Sequence, residues 1–385
     1  MTSLPKLLVN ALSVTHTSGL HVLLGHLRQV VEGLNNDIRL VIVARDDMRE
    51  LRDALDEHTD WVIAPLATRH WLFRAIWERV HLPRLVQRHA ARAYFTPSGI
   101  AAQGLIIPQI VFCQNPWALV PAARRRRDAL KAWLQRRAYR RSMRVAAAMV
   151  FNSRYMQEAY RANAGFHEQR GLVVHQAAND STHERAELSA PRQVHQILCV
   201  SAMAPHKNIE TLVRAFRLVR EELPSARLVL AGNWPDKTYE RKIRRLISDL
   251  GLDNAVEIPG FVSRDRLDQL YAESRVFCLM SRCESFGIPA IEAQLFGTPV
   301  VSSTVCAIPE ICGSGGVFYD PDDVSGVADA LQRLLTDEAE WQRLSAAART
   351  NARQYVWEHC SAPLVALVRS FCVTSLPTAY SATGD

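Results

Sequence analysis

Ser281-Arg282-Cys283-Glu284-Ser285-Phe286-Gly287-Ile288-Pro289-Ala290-Ile291-Glu292-Ala293 is the stretch on which the fold turns. It follows the apolar run Val276 to Leu279, so it reads as a strand end, a loop and the start of a helix. Pro289 suits a helix start, where its missing N–H has no partner to lose. A helix beginning there points free N–H groups and a partial positive charge at whatever lies in front of it, which fits a diphosphate. Gly287 lets the backbone come close to a ligand. Glu284 and Glu292 are separated by up to ~12 Å at the rise of a helix. That is wider than the roughly 5 to 9.5 Å of a glycosidase acid/base pair, so the two carboxylates suit the two ends of one long ligand. On spacing alone they also fit two surface charges, the usual place for Glu.

Around this stretch, short aliphatic runs alternate with amphipathic stretches, the pattern of a parallel sheet flanked by helices. Strand Ile197 to Val200, helix Ile209 to Glu222, strand Arg227 to Ala231, helix Tyr239 to Leu250 and strand Val256 to Ile258 come before it. Helix Arg264 to Ala272, strand Val276 to Leu279, helix Pro289 to Phe296 and strand Pro299 to Ser302 complete the series. The first half alternates in the same way, with strands at Lys6 to Asn10, Arg39 to Ala44, Trp61 to Ile63, Gln109 to Phe112, Ala148 to Phe151 and Leu172 to Val174. Between the halves, Gln176 to Gln193 is polar and aperiodic and reads as a linker. The expected organisation is an N-terminal Rossmann-like domain over 1–178 and a C-terminal one over 193–355. A helix over 356–374 packs back toward the first domain, and 375–385 is a disordered tail.

The run from Glu284 to Glu292 resembles the E-x7-E signature of the retaining glycosyltransferases of family 4, the group 1 glycosyl transferases, which have the GT-B fold. Gly297-Thr298-Pro299-Val300-Val301, Ile308-Pro309-Glu310 and Phe318-Tyr319-Asp320-Pro321-Asp322-Asp323 extend the resemblance over residues 195 to 355. It implies an α/β protein of two doubly wound domains with the site in the cleft between them. The implied reaction moves a hexosyl group from a nucleotide-diphosphate sugar to a glycan or lipid-linked acceptor, with no essential metal and no cofactor besides that co-substrate. By position, Glu284 would bind sugar hydroxyls, Glu292 the ribose, and Lys207 the leaving diphosphate. Ser285, Phe286, Gly287 and Ile288 would offer backbone amides, Phe261 and Val262 would pack the base, and Gly19 would approach the donor from the first loop.

The sequence departs from the family in three places. Ala202 stands where an arginine is usual, which leaves His206 or Arg282 to supply a second cation. Gln114, next to Asn115, stands where many relatives have a histidine; it can donate a hydrogen bond to a sugar or acceptor hydroxyl but cannot take a proton. Gln176-Ala177 replaces the usual Asn-Gly at the domain crossover. Asp46-Asp47 follow a strand but read as a turn rather than a metal-binding pair.

Of the 385 residues 48% are hydrophobic and 22% charged, the balance of a soluble globular protein. No apolar run approaches the ~20 residues of a membrane span, and no signal peptide is expected at Met1 to Asn10. The eight cysteines are scattered and read as reduced core residues, which suits a cytoplasmic address. The net charge of +7 is uneven: Arg124 to Arg144 holds nine Arg and one Lys against one Asp, so this segment carries +9 and the rest −2. As a helix it would present Arg124, Arg125, Arg126, Arg127 and Trp133 to the anionic inner face of the cell membrane. The best-fitting reading is therefore a peripheral enzyme of surface polysaccharide or lipopolysaccharide synthesis, with no nucleic-acid partner. Two rivals are a nucleotide-sugar epimerase or hydrolase of the same fold, and a nucleic-acid-binding protein using Arg124 to Arg144.

Overall fold

The computed structural model describes residues 4–14, 17–55, 57, 59–121, 128–164, 171–186 and 192–373. In chain order the first domain holds β1 (Lys6–Asn10), α1 (Thr17–Gly33), β2 (Arg39–Arg45), α2 (Arg49–Leu55), β3 (Thr59–Ala64) and α3 (Trp71–His89). It continues with β4 (Ala91–Thr96), β5 (Gln109–Cys113), α4 (Ala129–Val145), β6 (Ala148–Phe151), α5 (Arg154–Ala164) and β7 (Gly171–Val173). After α6 (Asp180–Ala186) come β8 (Gln193–Val200), α7 (Ile209–Glu222), β9 (Arg227–Ala231), α8 (Lys237–Asp249), β10 (Val256–Gly260), α9 (Arg264–Glu273) and β11 (Ser274–Leu279). The chain ends through α10 (Ile288–Leu295), β12 (Val300–Ser303), α11 (Ile308–Cys312), β13 (Gly316–Tyr319), α12 (Val324–Thr336), α13 (Glu338–Ala352) and α14 (Trp357–Cys372).

The strands form two sheets, ordered β3-β2-β1-β4-β5-β6-β7 and β10-β9-β8-β11-β12-β13. Neighbouring strands are parallel, for example β1 with β4 and β8 with β11. β5 and β11 are buried along their whole length, because helices cover both faces of each sheet. This is the doubly wound architecture read from the sequence, once in each half.

Elements such as β4, β13 and α6 are missing from the sequence reading. β4 carries Ala91, Arg92 and Ala93, whose composition masks a strand; tertiary pairing with β1 and β5 overrides it. Within the polar stretch taken as linker lies α6, only seven residues long and too short for a periodic pattern to register. Asn179 starts it, its carbonyl accepting from the amides of Thr182 and His183. The tail 374–385 lies outside the described residues.

α14 returns to the first domain and lies against α1. His26 Nδ1 and Ser361 Oγ are 2.9 Å apart, Arg369 donates to the Gly33 carbonyl at 2.8 Å, and Arg92 donates to that of Cys372 at 2.9 Å. The eight cysteines are all free and buried.

Candidate active site

Open parallel sheets bind ligands beyond the C-terminal ends of the strands, where the strand order reverses. The reversal falls between β1 and β4 in one sheet and between β8 and β11 in the other. The loops after these four strands face one another across a cleft of about 600 Å³. Ser13, Val14, Pro97 and Ser98 line it from the first domain, and Ser201, Ala202, Lys207 and Glu284 through Pro289 from the second. Gly19 and the pair Gln114 and Asn115 line the same cleft.

Lys207 closes a single 3₁₀ turn, Pro205–Lys207, and the left-handed Asn208 that follows starts α7. Its Nζ donates to Glu284 Oε1, which also accepts from Ser281 Oγ at 3.3 Å. Each side chain of the pair is 14% exposed, so the ion pair is shielded yet open to the cleft. Two backbone bonds fix the loop between them: the Arg282 amide donates to the His206 carbonyl at 2.8 Å, and the Ala307 amide to the Glu284 carbonyl at 3.1 Å. Gly287 caps α10 at φ 105, a conformation that L side chains rarely adopt, and Pro289 occupies its first turn. The N-terminus of α10, at Ile288 and Pro289, therefore lines the cleft beside Glu284, while the Ala290 and Ile291 amides donate to the Gly287 carbonyl at 2.9 and 3.4 Å.

The opposite domain grips this loop. Asn152 Nδ2 donates to Ser285 Oγ at 3.2 Å and Ser153 Oγ to the Ser285 carbonyl at 2.7 Å. Close by, Glu310 of α11 accepts from the amides of Arg154 and Tyr155, at 2.8 and 3.0 Å, and so caps α5 across the domain boundary. His175 Nε2 lies 3.3 Å from the same carboxylate. Burial opposes the charge on Glu310, but these partners hold its carboxyl below the usual range. Asn152, Ser153, Arg154, Tyr155 and His175 did not stand out in the sequence, because they act through contacts more than a hundred positions apart.

Not every predicted residue reaches the cleft. Glu292 is buried on α10, bonded to Arg264 at 2.7 Å and to the Tyr271 hydroxyl at 2.9 Å, and it is not among the residues lining the cavity. Phe261 follows β10 and is 85% exposed, with Val262 beside it half-buried. Arg282 pairs with Asp322, and neither it nor His206 lines the cleft. The cation facing the cleft from the other side is Arg74 of α3, which the sequence reading did not single out. It donates to the Leu12 carbonyl at 3.3 Å and lies 3.9 Å from Glu78. Gln114 accepts from Gln176 at 3.3 Å, so its own amide N–H groups stay available to a ligand.

Electrostatics around the ion pair favour inert neighbours. Burial pushes the thiols of Cys199 and Cys283 up to about 12 and that of Cys306 up to about 11, so none supplies a thiolate near neutral pH. Burial, and then the charge of Lys207, hold His206 below its ordinary value, hence neutral. Asp47 is held by Arg45 at 3.0 Å and Arg69 at 2.6 Å, and Asp46 by Arg52 at 3.3 Å, in the turn after β2.

Arg124 to Arg127 lie outside the described residues. The remainder of the basic segment is α4, which buries Ala132, Tyr139 and Ser142 and leaves Trp133 half-exposed. α3 exposes a second apolar row, Trp71, Leu72, Phe73 and Ile76, which the sequence reading did not find. Among the described residues no helix is long and apolar enough to cross a membrane.

Residues 180–354 match a family model described as Glycosyl transferases group 1. The chain is 32% identical over 167 residues to O-antigen chain mannosyltransferase B of Escherichia coli, a match covering 43% of each chain. It is 31% identical over 183 residues to a GDP-mannose-dependent alpha-(1-6)-phosphatidylinositol monomannoside mannosyltransferase of Mycobacterium tuberculosis, covering 45% of this chain and 47% of that one. The chain thus spans less than half the length of these curated relatives. In three dimensions it is similar to Anabaena Alr3699/HepE, solved in complex with UDP and glucose, with a TM-score of 0.67 at 18% identity over 96% of this chain and all of that one. The shared fold is GT-B.

Proposed function

We propose, from the premise that residues 180–354 form a group 1 glycosyl transferase domain within a GT-B fold, that this protein moves a sugar from a nucleotide-diphosphate sugar to a glycan or lipid-linked acceptor with retention of configuration. The observation that carries the reading is the Lys207–Glu284 pair, set beside the N-terminus of α10 where the two strand-order reversals meet. In their ion pair each charge neutralises the other. A bound diphosphate draws Lys207 to itself, which releases Glu284 to accept hydrogen bonds from the sugar hydroxyls. Lys207 and the positive end of the α10 dipole then stabilise the negative charge that grows on the leaving diphosphate, and Arg74 adds a second cation where Ala202 supplies none. No divalent metal is needed for that charge. Each Glu292 oxygen keeps acceptor capacity beside its bond to Arg264 or Tyr271, but the side chain is buried outside the cleft lining, so to reach a ribose it must become accessible. The acceptor lies on the first domain, with Gln114 and Asn115 at its hydroxyls.

The relatives' names make mannose the sugar to test first, from GDP-mannose, with UDP-glucose as the comparison. We place the enzyme in the cytoplasm at an anionic membrane surface, met by the basic segment and by the exposed apolar rows of α3 and α4. The test has two parts. Guanosine, uridine, adenosine and thymidine diphosphates are compared for their effect on the melting temperature, since a ligand that binds only the folded state raises it. The product of transfer from the tightest-binding nucleotide's sugar is then examined by NMR. No shift with any nucleotide, or a product of inverted configuration, overturns the corresponding part of the reading.

A further inference from the structure

A second cavity, of about 900 Å³ and larger than the cleft, lies between α3 and α4. Its charged wall is Arg79 of α3 with Arg137, Arg140, Arg141 and Arg144 of α4. Its apolar wall is Leu72, Ile76, Leu134 and Val145, each of them exposed. Among the described residues Arg79, Arg137 and Arg144 make no hydrogen bond or ion pair. Glu78, the one acidic residue of the lining, is engaged by Asn10 at 2.9 Å. The groove also adjoins the cleft. Ile100 lines both, with Pro97 and Ser98 before it on the cleft side and Ala101 and Ala102 after it on the groove side.

We infer that this groove is a binding site for an anionic amphiphile, a phosphate ester of a long apolar chain, and that it is the acceptor's anchoring subsite. Unpaired guanidinium groups call for an anion with several acceptor oxygens, and phosphate matches their planar fork. The exposed aliphatic wall calls for an apolar chain. A polynucleotide would satisfy the arginines but not that wall, since its bases seek aromatic faces for stacking. Continuity at Ile100 means that a ligand anchored by its phosphate in the groove can present its free end to Glu284 and Lys207. The inference rests on the glycosyltransferase reading, for which it names the acceptor chemistry.

The experiment is calorimetric titration of the full chain with farnesyl phosphate, with farnesol and inorganic phosphate titrated separately. The variants are R137S/R144S and L72S/I76S, all at exposed positions, with melting temperatures as the check on folding. Farnesyl phosphate should bind, and both farnesol and inorganic phosphate should bind at least about tenfold more weakly, because each satisfies one wall only. Each double variant should weaken farnesyl phosphate by about tenfold or more. Wild-type affinity in both variants overturns the assignment, as does displacement of farnesyl phosphate by a single-stranded oligonucleotide at lower concentration than by farnesyl phosphate itself. Failure of the glycosyltransferase reading shows differently: no nucleotide-sugar is consumed by the wild-type chain, while groove binding persists.

Discussion

Ser153, in the first domain, donates its hydroxyl to the carbonyl of Ser285, the residue that follows Glu284 in the second. The loop that carries Glu284 is therefore held from across the cleft. A single neutral hydrogen bond contributes about 0.5–1.5 kcal/mol, a roughly 2- to 12-fold effect. Ser153→Ala should raise the donor KM by about that factor while the acceptor KM stays unchanged. Ser153 also accepts from the Met156 amide at 3.2 Å, so some loss of melting temperature is expected as well. A lowered melting temperature with an unchanged donor KM would reduce the contact to a structural one.

Glu284→Ala should lower turnover at least ~100-fold, about 2.7 kcal/mol of transition-state stabilisation. Lys207→Gln should act in the same direction, and the double variant should lose at least about the product of the two, because once the pair opens Lys207 serves the diphosphate and Glu284 the sugar. Near-normal turnover in a folded Glu284→Ala protein removes the central claim; multiplicative losses separate the two roles.

Both doubly wound halves were legible in the sequence because their buried strands are aliphatic runs of ordinary length; Glu284 and Gly287 were legible as a loop after such a strand, and Lys207 through the family resemblance. What stayed hidden was set by distance along the chain. Glu310 looked like one letter of a motif until it was seen to cap α5. Arg74 sits in a helix whose apolar face is exposed, so its periodicity pointed to no core. Gly232 also passed unnoticed: a Cβ there would lie 1.8 Å from the Ser201 carbonyl oxygen, so the loops after β8 and β9 meet only because that residue has none. The resemblance put Glu292 at a ribose, yet its side chain is buried and bonded to Arg264 and Tyr271, which no local pattern reveals.

Transfer should proceed without a divalent metal, because Lys207, Arg74 and the N-terminus of α10 bring positive charge to the proposed place of the diphosphate. Turnover should therefore be the same in excess chelator as in magnesium or manganese. Activity abolished by the chelator and restored by either ion contradicts this.

His26 makes folding sensitive to mild acid. It is wholly buried between Phe112 and Trp357, and burial lowers its pKa to about 3 from the ordinary 6.5. Above pH 6.5 it is neutral in both the folded and unfolded chain and has no effect. Below that pH the unfolded chain takes up a proton that the folded one refuses, so stability falls by up to about 1.4 kcal/mol per pH unit until about pH 3. Between pH 6.5 and 4.5, above the range of ordinary carboxylates, His26→Gln should show a flatter dependence of stability on pH than the wild type. Parallel denaturation midpoints for the two proteins across that window contradict the assignment.

Membrane docking should depend on charge first and on apolar insertion second. Arg124 to Arg144 carries +9 in a chain whose remainder is at −2, and each basic residue near an anionic surface contributes up to about 1 kcal/mol. A few such contacts suffice for reversible binding, and exposed Trp133 on α4 with Trp71 and Phe73 on α3 can enter the headgroup layer. Replacing Arg124, Arg125, Arg126 and Arg127 with Ser should weaken sedimentation with anionic liposomes, while turnover on a short water-soluble acceptor stays intact. Raising salt should weaken the wild type too, since screening shortens the reach of exposed charges to about 8 Å at physiological ionic strength. Trp71→Ser and Phe73→Ser should lower binding with little change in its salt dependence, because they remove insertion and leave the charge. If wild type and the four-serine variant sediment equally at low salt, the segment does not dock the protein, and any binding that remains belongs to the apolar row of α3.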